Sequence, residues 1–140
     1  MARLFAGILL TIFAAGTAAA QSDALTFEGD TAIMTVGIKA DKTADFEQIM
    51  QKVQQALRRS ENPDHAKQAD GWKLVKLAKP LPDGTVAYVH VIHPVVTGAD
   101  YTILQILYDA FPEEKQALYD QYRGAFDKNL GLITGSVAVP

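Results

Sequence analysis

The chain contains no cysteine, and that absence excludes several classes of protein. Without thiols there is no disulfide framework, no thiolate nucleophile and no cysteine-ligated metal. A lipoprotein anchor, which needs a cysteine directly after the signal, is excluded for the same reason. The fold must therefore be held by its hydrophobic core, and the residues after the first twenty are numerous enough to build one.

Long hydrophobic runs are also missing. The run from Leu4 to Ala15 is shorter than the roughly 18 residues that a membrane span requires. Arg3 precedes this run, and the small residues Ala18-Ala19-Ala20 follow it, which is the layout of a cleavable secretory signal. The sequence thus predicts a signal peptide over 1–20, a periplasmic or secreted mature protein, and no membrane contact after cleavage.

The chain has little excess charge of either sign, with a formal net charge of −3. Dispersed, mildly acidic charge gives no electrostatic footprint for nucleic acid and no basic face for anionic lipid. The motifs H-E-x-x-H, G-x-S-x-G, the P-loop and the Rossmann fingerprint do not occur. We therefore expect no nucleic-acid partner, no metal and no cofactor.

What is present predicts one domain over 31–140, after a polar and flexible leader over 21–30. Ala32–Ala40 is rich in β-branched residues and is typical of a strand. Thr43 is placed to cap a helix with apolar residues at helical spacing, which ends before Pro63. The remaining pattern predicts a hairpin from 72–81 and 86–94, two helices separated at Pro112, and a last strand over 131–139.

The element order β-α-β-β-α-β over Ala32 to Val139 resembles the ferredoxin-like fold. The domain size is similar to that of the dimeric α+β barrel group, and the outline is similar to that of uncharacterised exported bacterial proteins. The resemblance implies an α+β fold whose four-stranded antiparallel sheet has helices on one face and its third strand near the middle. It also implies a homodimer, but it carries no catalytic residue.

The stretch VAYVHVIHPVV, Val86 to Val96, places two histidines on an otherwise apolar strand. Because strand side chains alternate, His90 and His93 point to opposite faces and cannot hold one metal together. A turn at 82–84 predicts that His90 lies opposite Lys76. Alternation then places Val75, Leu77, Ala87, Val89 and Val91 on an aliphatic face, which we expect under the helices.

The other face of the sheet mixes polar and large apolar side chains, and it is the predicted site. Exposed to water it would present too much apolar surface, and as a dry core it would bury unpaired polar groups. We therefore expect a partner sheet or a ligand to cover it. The predicted ligand-binding residues are Thr35, Trp72, Leu74, Lys76, Tyr88, Ile92, Thr134 and Ser136, with His90 as a candidate catalytic base.

Three functions are compatible with this face. The first is a homodimer that encloses a small, partly apolar ligand. The second is a cofactor-free oxygenase or isomerase in which neutral His90 abstracts a proton and Lys76 steadies the anion. The third is a structural homodimer, in which His90 is simply hydrogen-bonded to Thr35, Ser136 or water.

Overall fold

The computed structural model describes residues 23–140, so the predicted signal peptide over 1–20 lies outside the described residues. The described chain is an α+β domain with a four-stranded antiparallel sheet, as the sequence predicts. No helix among these residues is long and apolar enough to span a membrane. In chain order the strands and helices are β1 Thr31–Ile38, α1 Thr43–Arg59, α2 Pro63–Gly71, β2 Trp72–Lys76, β3 Val86–Ile92, α3 Ile103–Ala110, α4 Lys115–Ala125 and β4 Phe126–Gly135.

The strands lie in the order β2-β3-β1-β4, so β3 and β1 are central. The predicted hairpin forms, with Gly84 at φ +86° in its turn. Its register differs from the prediction, because Leu74 is the cross-strand partner of His90. Near the turn the Leu81 N–H donates to the Thr85 carbonyl, as predicted. The residues between Leu77 and Leu81 are not paired with β3, and beyond them the pairing is shifted by two residues. Because side chains alternate with a period of two, a shift of two residues leaves the same side chains together on each face of the hairpin.

Helices cover the face of the sheet that carries Tyr88, His90 and Ile92, all of which are fully or almost fully buried. Phe46 of α1 lies against Tyr88 with the ring centroids 4.9 Å apart. Val36 of β1 is the cross-strand neighbour of Tyr88 and completes this part of the core. The core therefore lies between α1 and the two central strands.

The prediction of which face is covered was wrong. Val89 and Val91 were expected under the helices, but the open face carries them, and His90 lies in the core instead. The physical reason is that the polar tips of the larger side chains pair with one another inside the protein. The Trp72 indole bonds His90 and the Tyr88 hydroxyl bonds a glutamate, so burying these bulky groups leaves few polar atoms unsatisfied.

The helix boundaries follow from local pattern with two corrections. The apolar stripe of α1 is buried as predicted, but Thr43 is its first helical residue, and the flanking Lys42 makes no side-chain cap. The polar stretch between Pro63 and the hairpin was not predicted to form a regular helix. It forms α2, whose first turn is capped by the Asn62 side chain accepting from the Asp64 N–H at 3.0 Å.

Two segments near the termini also differ from expectation. The leader was predicted to be flexible, but Phe27 is buried against Tyr101 with centroids 5.1 Å apart, and the Leu25 N–H bonds Asp100. The last strand begins at Phe126 and ends at Gly135, several residues earlier than predicted. The start of this strand was not predicted, because Asp127 and Lys128 do not favour a strand. In the structure Asp127 is bound by Thr85, and Lys128 by Asp83.

Candidate functional site

A histidine–tryptophan pair lies at the centre of the covered face. The Trp72 Nε1–H donates to His90 Nδ1 at 3.0 Å, and the two ring centroids are 5.9 Å apart. Because an indole nitrogen can only donate, His90 Nδ1 must be the unprotonated nitrogen. The proton of the neutral imidazole is therefore on Nε2, which is buried and has no hydrogen-bond partner among the described residues.

The burial of His90 keeps its ring neutral. Removal from water lowers the pKa of His90 to about 4, since the charged form loses its solvation. The predicted catalytic role also required a neutral imidazole at His90, with Lys76 beside it. In the structure Lys76 pairs with Glu47, with Nζ 3.2 Å from Oε1, and it lies opposite Tyr88 instead of His90.

Next to this pair, Tyr88 joins the sheet to α1 by a short hydrogen bond. Its hydroxyl donates to Glu47 Oε1 at 2.6 Å, and the bonds from Tyr88 and Lys76 lower the pKa of Glu47. Burial, reinforced by the adjacent carboxylate, raises the pKa of the Tyr88 phenol. At neutral pH the site thus holds a neutral phenol, a neutral imidazole and one paired carboxylate.

A groove of about 620 Å³ opens directly beside the pair, between α1, α2 and the edge strand β2. Trp72 and Leu74 form part of its floor, and both are next to His90 in the fold. The volume falls within the range of roughly 300–1,000 Å³ that is usual for ligand sites. The lining residues are Glu47, Met50, Gln51, Gln54, Gln55, Arg58, Ala69, Trp72, Lys73 and Leu74.

The sequence prediction missed the α1 wall of this groove. Glu47, Gln51, Gln54 and Arg58 recur at helical spacing and form a polar stripe beside the buried one. Such a stripe usually indicates a solvated helix face, so the pattern alone could not mark it as part of a site. The Gln54 side chain fixes the wall to the floor, donating to the backbone carbonyls of Ala69 and Trp72 at 3.3 and 3.2 Å.

The structure brings six of the predicted residues together on the helix-covered side of the hairpin and places three elsewhere. Thr35 lies on the open face, where Val89 is its cross-strand partner. Thr134 lies on the edge strand β4, and Ser136 follows that strand; both are exposed. The six that cluster are Trp72, Leu74, Lys76, Tyr88, His90 and Ile92.

The open face of the sheet is a second functional candidate. Most of its side chains are aliphatic, and several are well exposed, with Val75 at 46% and Ile133 at 70%. Soluble monomers seldom expose so many adjacent apolar side chains. The residues on this face include Ile33, Thr35, Lys73, Val75, Leu77, Ala87, Val89, Val91 and Ile133.

The other two histidines lie apart from the pair. His93 follows β3 and is exposed, and its Nδ1 lies 2.9 Å from the Thr31 hydroxyl. His65 lies in α2, half-buried, and its Nδ1 lies 2.6 Å from the Ser60 hydroxyl. Within residues 23–140 no group of three acidic or histidine side chains is arranged to hold a metal ion.

Comparison with known proteins assigns no residue a role. No protein-family model matches the chain, and no match was found among curated proteins or solved structures. Function is therefore inferred from the geometry of residues 23–140.

Proposed function

We propose that this chain is an exported, ferredoxin-like domain that forms a homodimer and binds a small, partly apolar molecule carrying an oxygen acceptor. The ferredoxin-like assignment is supported by the element order together with the strand order β2-β3-β1-β4. A periplasmic or secreted location is supported by the composition of residues 1–20.

The open sheet face supports the homodimer. Two such faces packed about 10 Å apart would remove Val75, Leu77 and Ile133 from water in both copies. A symmetric contact of this kind needs no second protein, because an aliphatic surface is complementary to its own copy. At the end of the face near the hairpin turn, Lys128 of β4 forms an ion pair with Asp83. The middle of the sheet is left as the apolar contact surface.

The observation that carries the ligand proposal is the buried Nε2–H of His90. A buried donor without an acceptor costs about 1–3 kcal/mol, so an oxygen placed there would recover free energy. Trp72 and Leu74 line the groove and are neighbours of His90, and the Met50 side chain in the same groove is flexible enough to rearrange. A carbonyl or ether oxygen would meet Nε2, and the apolar part of the molecule would contact Trp72 and Leu74.

The same geometry favours binding over proton abstraction. A general base needs a free lone pair, but His90 Nδ1 already accepts from Trp72 and Nε2 carries the proton. Lys76 is bound to Glu47 and is not placed to steady an anion at His90. Within the proposal, His90 therefore acts as a hydrogen-bond donor.

The dimer is tested by comparing two equally exposed apolar residues. Leu77, 40% exposed, lies on the open face, and Tyr119, 42% exposed, lies on α4. Light scattering after gel filtration should show a dimer for the wild type and for Tyr119→Glu, but a monomer for Leu77→Glu. A wild-type monomer, or a dimer that Leu77→Glu leaves intact, would contradict the proposed interface.

The ligand site is tested with two probes of matched shape, cyclohexanone and methylenecyclohexane. The chain has a single tryptophan, so one indole N–H resonance reports binding beside His90. Replacing the donor, as in His90→Leu, should reduce the preference for the ketone about five-fold, which is the worth of one hydrogen bond of about 1 kcal/mol. The matched control, His93→Leu, removes an exposed histidine and should keep the wild-type preference.

A structural homodimer without a ligand gives a different result. Native mass spectra of the purified protein would show a dimer with no added mass, and neither probe would shift the indole resonance. That combination would refute the ligand site and leave the dimer standing.

A further inference from the structure

A second cleft lies on the opposite side of α2, between the end of α1, α2 and α3, and has a volume of about 610 Å³. Its walls are partly apolar, with Leu57, Ile106 and Phe111 contributing. Arg59 supplies a positive charge at the same cleft and makes no ion pair within the described part of the chain. Asp64, Asp100 and Asp109 also line it, so the cleft can take an apolar group together with a neutral polar one.

Ser60 and His65 form a hydrogen-bonded pair in the wall of this cleft. The chain turns sharply between α1 and α2, which brings Ser60 Oγ to 2.6 Å from His65 Nδ1. The same Oγ accepts the backbone N–H of Asn62 at 3.2 Å. The oxygen can accept from Asn62 while the hydroxyl donates its own proton to His65 Nδ1, in the tautomer that carries the ring proton on Nε2.

The distance between Ser60 Oγ and His65 Nδ1 meets the requirement for activating a serine. A nucleophile and a base within about 2.6–3.2 Å of each other are the basic requirement for covalent catalysis. The Asn62 N–H would stabilise the oxygen as it gains negative charge, since a donor aimed at the ionised form favours that form. Both side chains are half-buried, so they are shielded yet reachable from the cleft.

We propose that Ser60 and His65 form a catalytic dyad that hydrolyses small esters with an apolar acyl group. Ser60 Oγ attacks the ester carbonyl, and its proton passes to His65 Nδ1. The bond to the alcohol oxygen breaks, and that oxygen takes the proton from His65 as the alcohol leaves. Water then attacks the acyl-serine through His65, releasing the carboxylic acid and returning the proton to Ser60.

The test uses an alkyl fluorophosphonate, which forms an adduct only with an activated hydroxyl, and p-nitrophenyl butyrate as the ester. The purified full-length or processed chain should gain one adduct, and peptide mapping should place it on Ser60. Ser60→Ala and His65→Gln should each lose the adduct and at least about 100-fold of the esterase rate. Ser136→Ala and His93→Gln are the matched controls, since they remove an exposed serine and an exposed histidine, and both should behave as the wild type.

Two results would overturn the dyad. One is a wild-type protein that the fluorophosphonate does not label, a result that does not depend on whether any variant folds. The other is ester hydrolysis that persists in Ser60→Ala, because the histidine alone would then be the source of the rate. Far-UV circular dichroism of each variant separates loss of the dyad from loss of the fold.

Discussion

The stability of this domain should depend on pH through the buried His90 in the range between about pH 7.5 and about pH 5. The folded state holds the pKa of His90 at about 4, below the ordinary value of 6.5. As the pH falls, the unfolded chain therefore binds a proton before the folded chain does. The stabilisation is complete above about pH 6.5 and is lost progressively toward about pH 4.

The size of this effect follows from the two pKa values. A single histidine with pKa values of about 4 folded and 6.5 unfolded loses roughly 2 kcal/mol of stability between about pH 7.5 and about pH 5. That is a large share of the free energy of unfolding of a domain of this size, which is roughly 5–15 kcal/mol. The fold also lowers the pKa of several carboxyl groups, Glu47 among them. Their effect on stability falls mainly below their ordinary pKa values, which are 3.8 for aspartate and 4.5 for glutamate. The chosen range therefore separates the effect of His90 from that of the carboxyl groups.

The assay is urea unfolding followed by the emission of Trp72, repeated across this pH range at one fixed protein concentration. His90→Gln removes the titrating group and keeps an acceptor for the indole N–H, so its stability should be nearly flat with pH. The control His93→Gln should retain the wild-type slope. A flat wild-type profile, or an unchanged slope in His90→Gln, would refute the assignment of the buried neutral imidazole.

Three further substitutions test how the N-terminal segment and the groove wall are held. Phe27→Ala should lower the free energy of unfolding by about 3 kcal/mol, because the buried ring packs against Tyr101; a loss below about 1 kcal/mol in urea unfolding would mean that the segment is not docked. Gly29→Ala should cost at least about 1 kcal/mol, since φ is +79° and a Cβ would lie 2.2 Å from the Gly135 carbonyl oxygen; calorimetry showing wild-type stability would contradict that contact. Arg58→Ala should cost at most about 0.5 kcal/mol, because its ion pair with an aspartate is solvent-exposed, and a larger loss in the same calorimetry would show that the groove wall depends on it.

Local pattern was enough to predict the fold class and most of its elements. The apolar stripe of α1 and the turn at Gly84 both reflect interactions within a few residues, which sequence spacing displays directly. The same reasoning grouped Trp72 and His90 on one face of the hairpin, because alternation along a strand survives an even shift of register. The grouping of most of the predicted site residues therefore came from the sequence.

Some of the local predictions failed where polar residues were satisfied by distant partners. The start of β4 was overlooked because Asp127 and Lys128 do not favour a strand. In the structure Thr85 bonds the first of them and Asp83 pairs with the second. Phe27, too, is docked through Tyr101, far along the chain, and the leader itself contains no sign of that contact.

The tertiary structure alone decided which face of the sheet the helices cover. By hydrophobicity the aliphatic face of Val89 and Val91 was the better core, and the sequence prediction chose it. The fold instead buries His90. Its Nδ1 accepts a hydrogen bond from the Trp72 indole N–H, so one bond pairs both of these nitrogens inside the protein. Alternation tells which residues share a face, but the choice between the two faces depends on volumes and hydrogen-bond partners that several elements supply together. For that physical reason the buried donor, the groove beside it and the open aliphatic face became visible only in the folded chain.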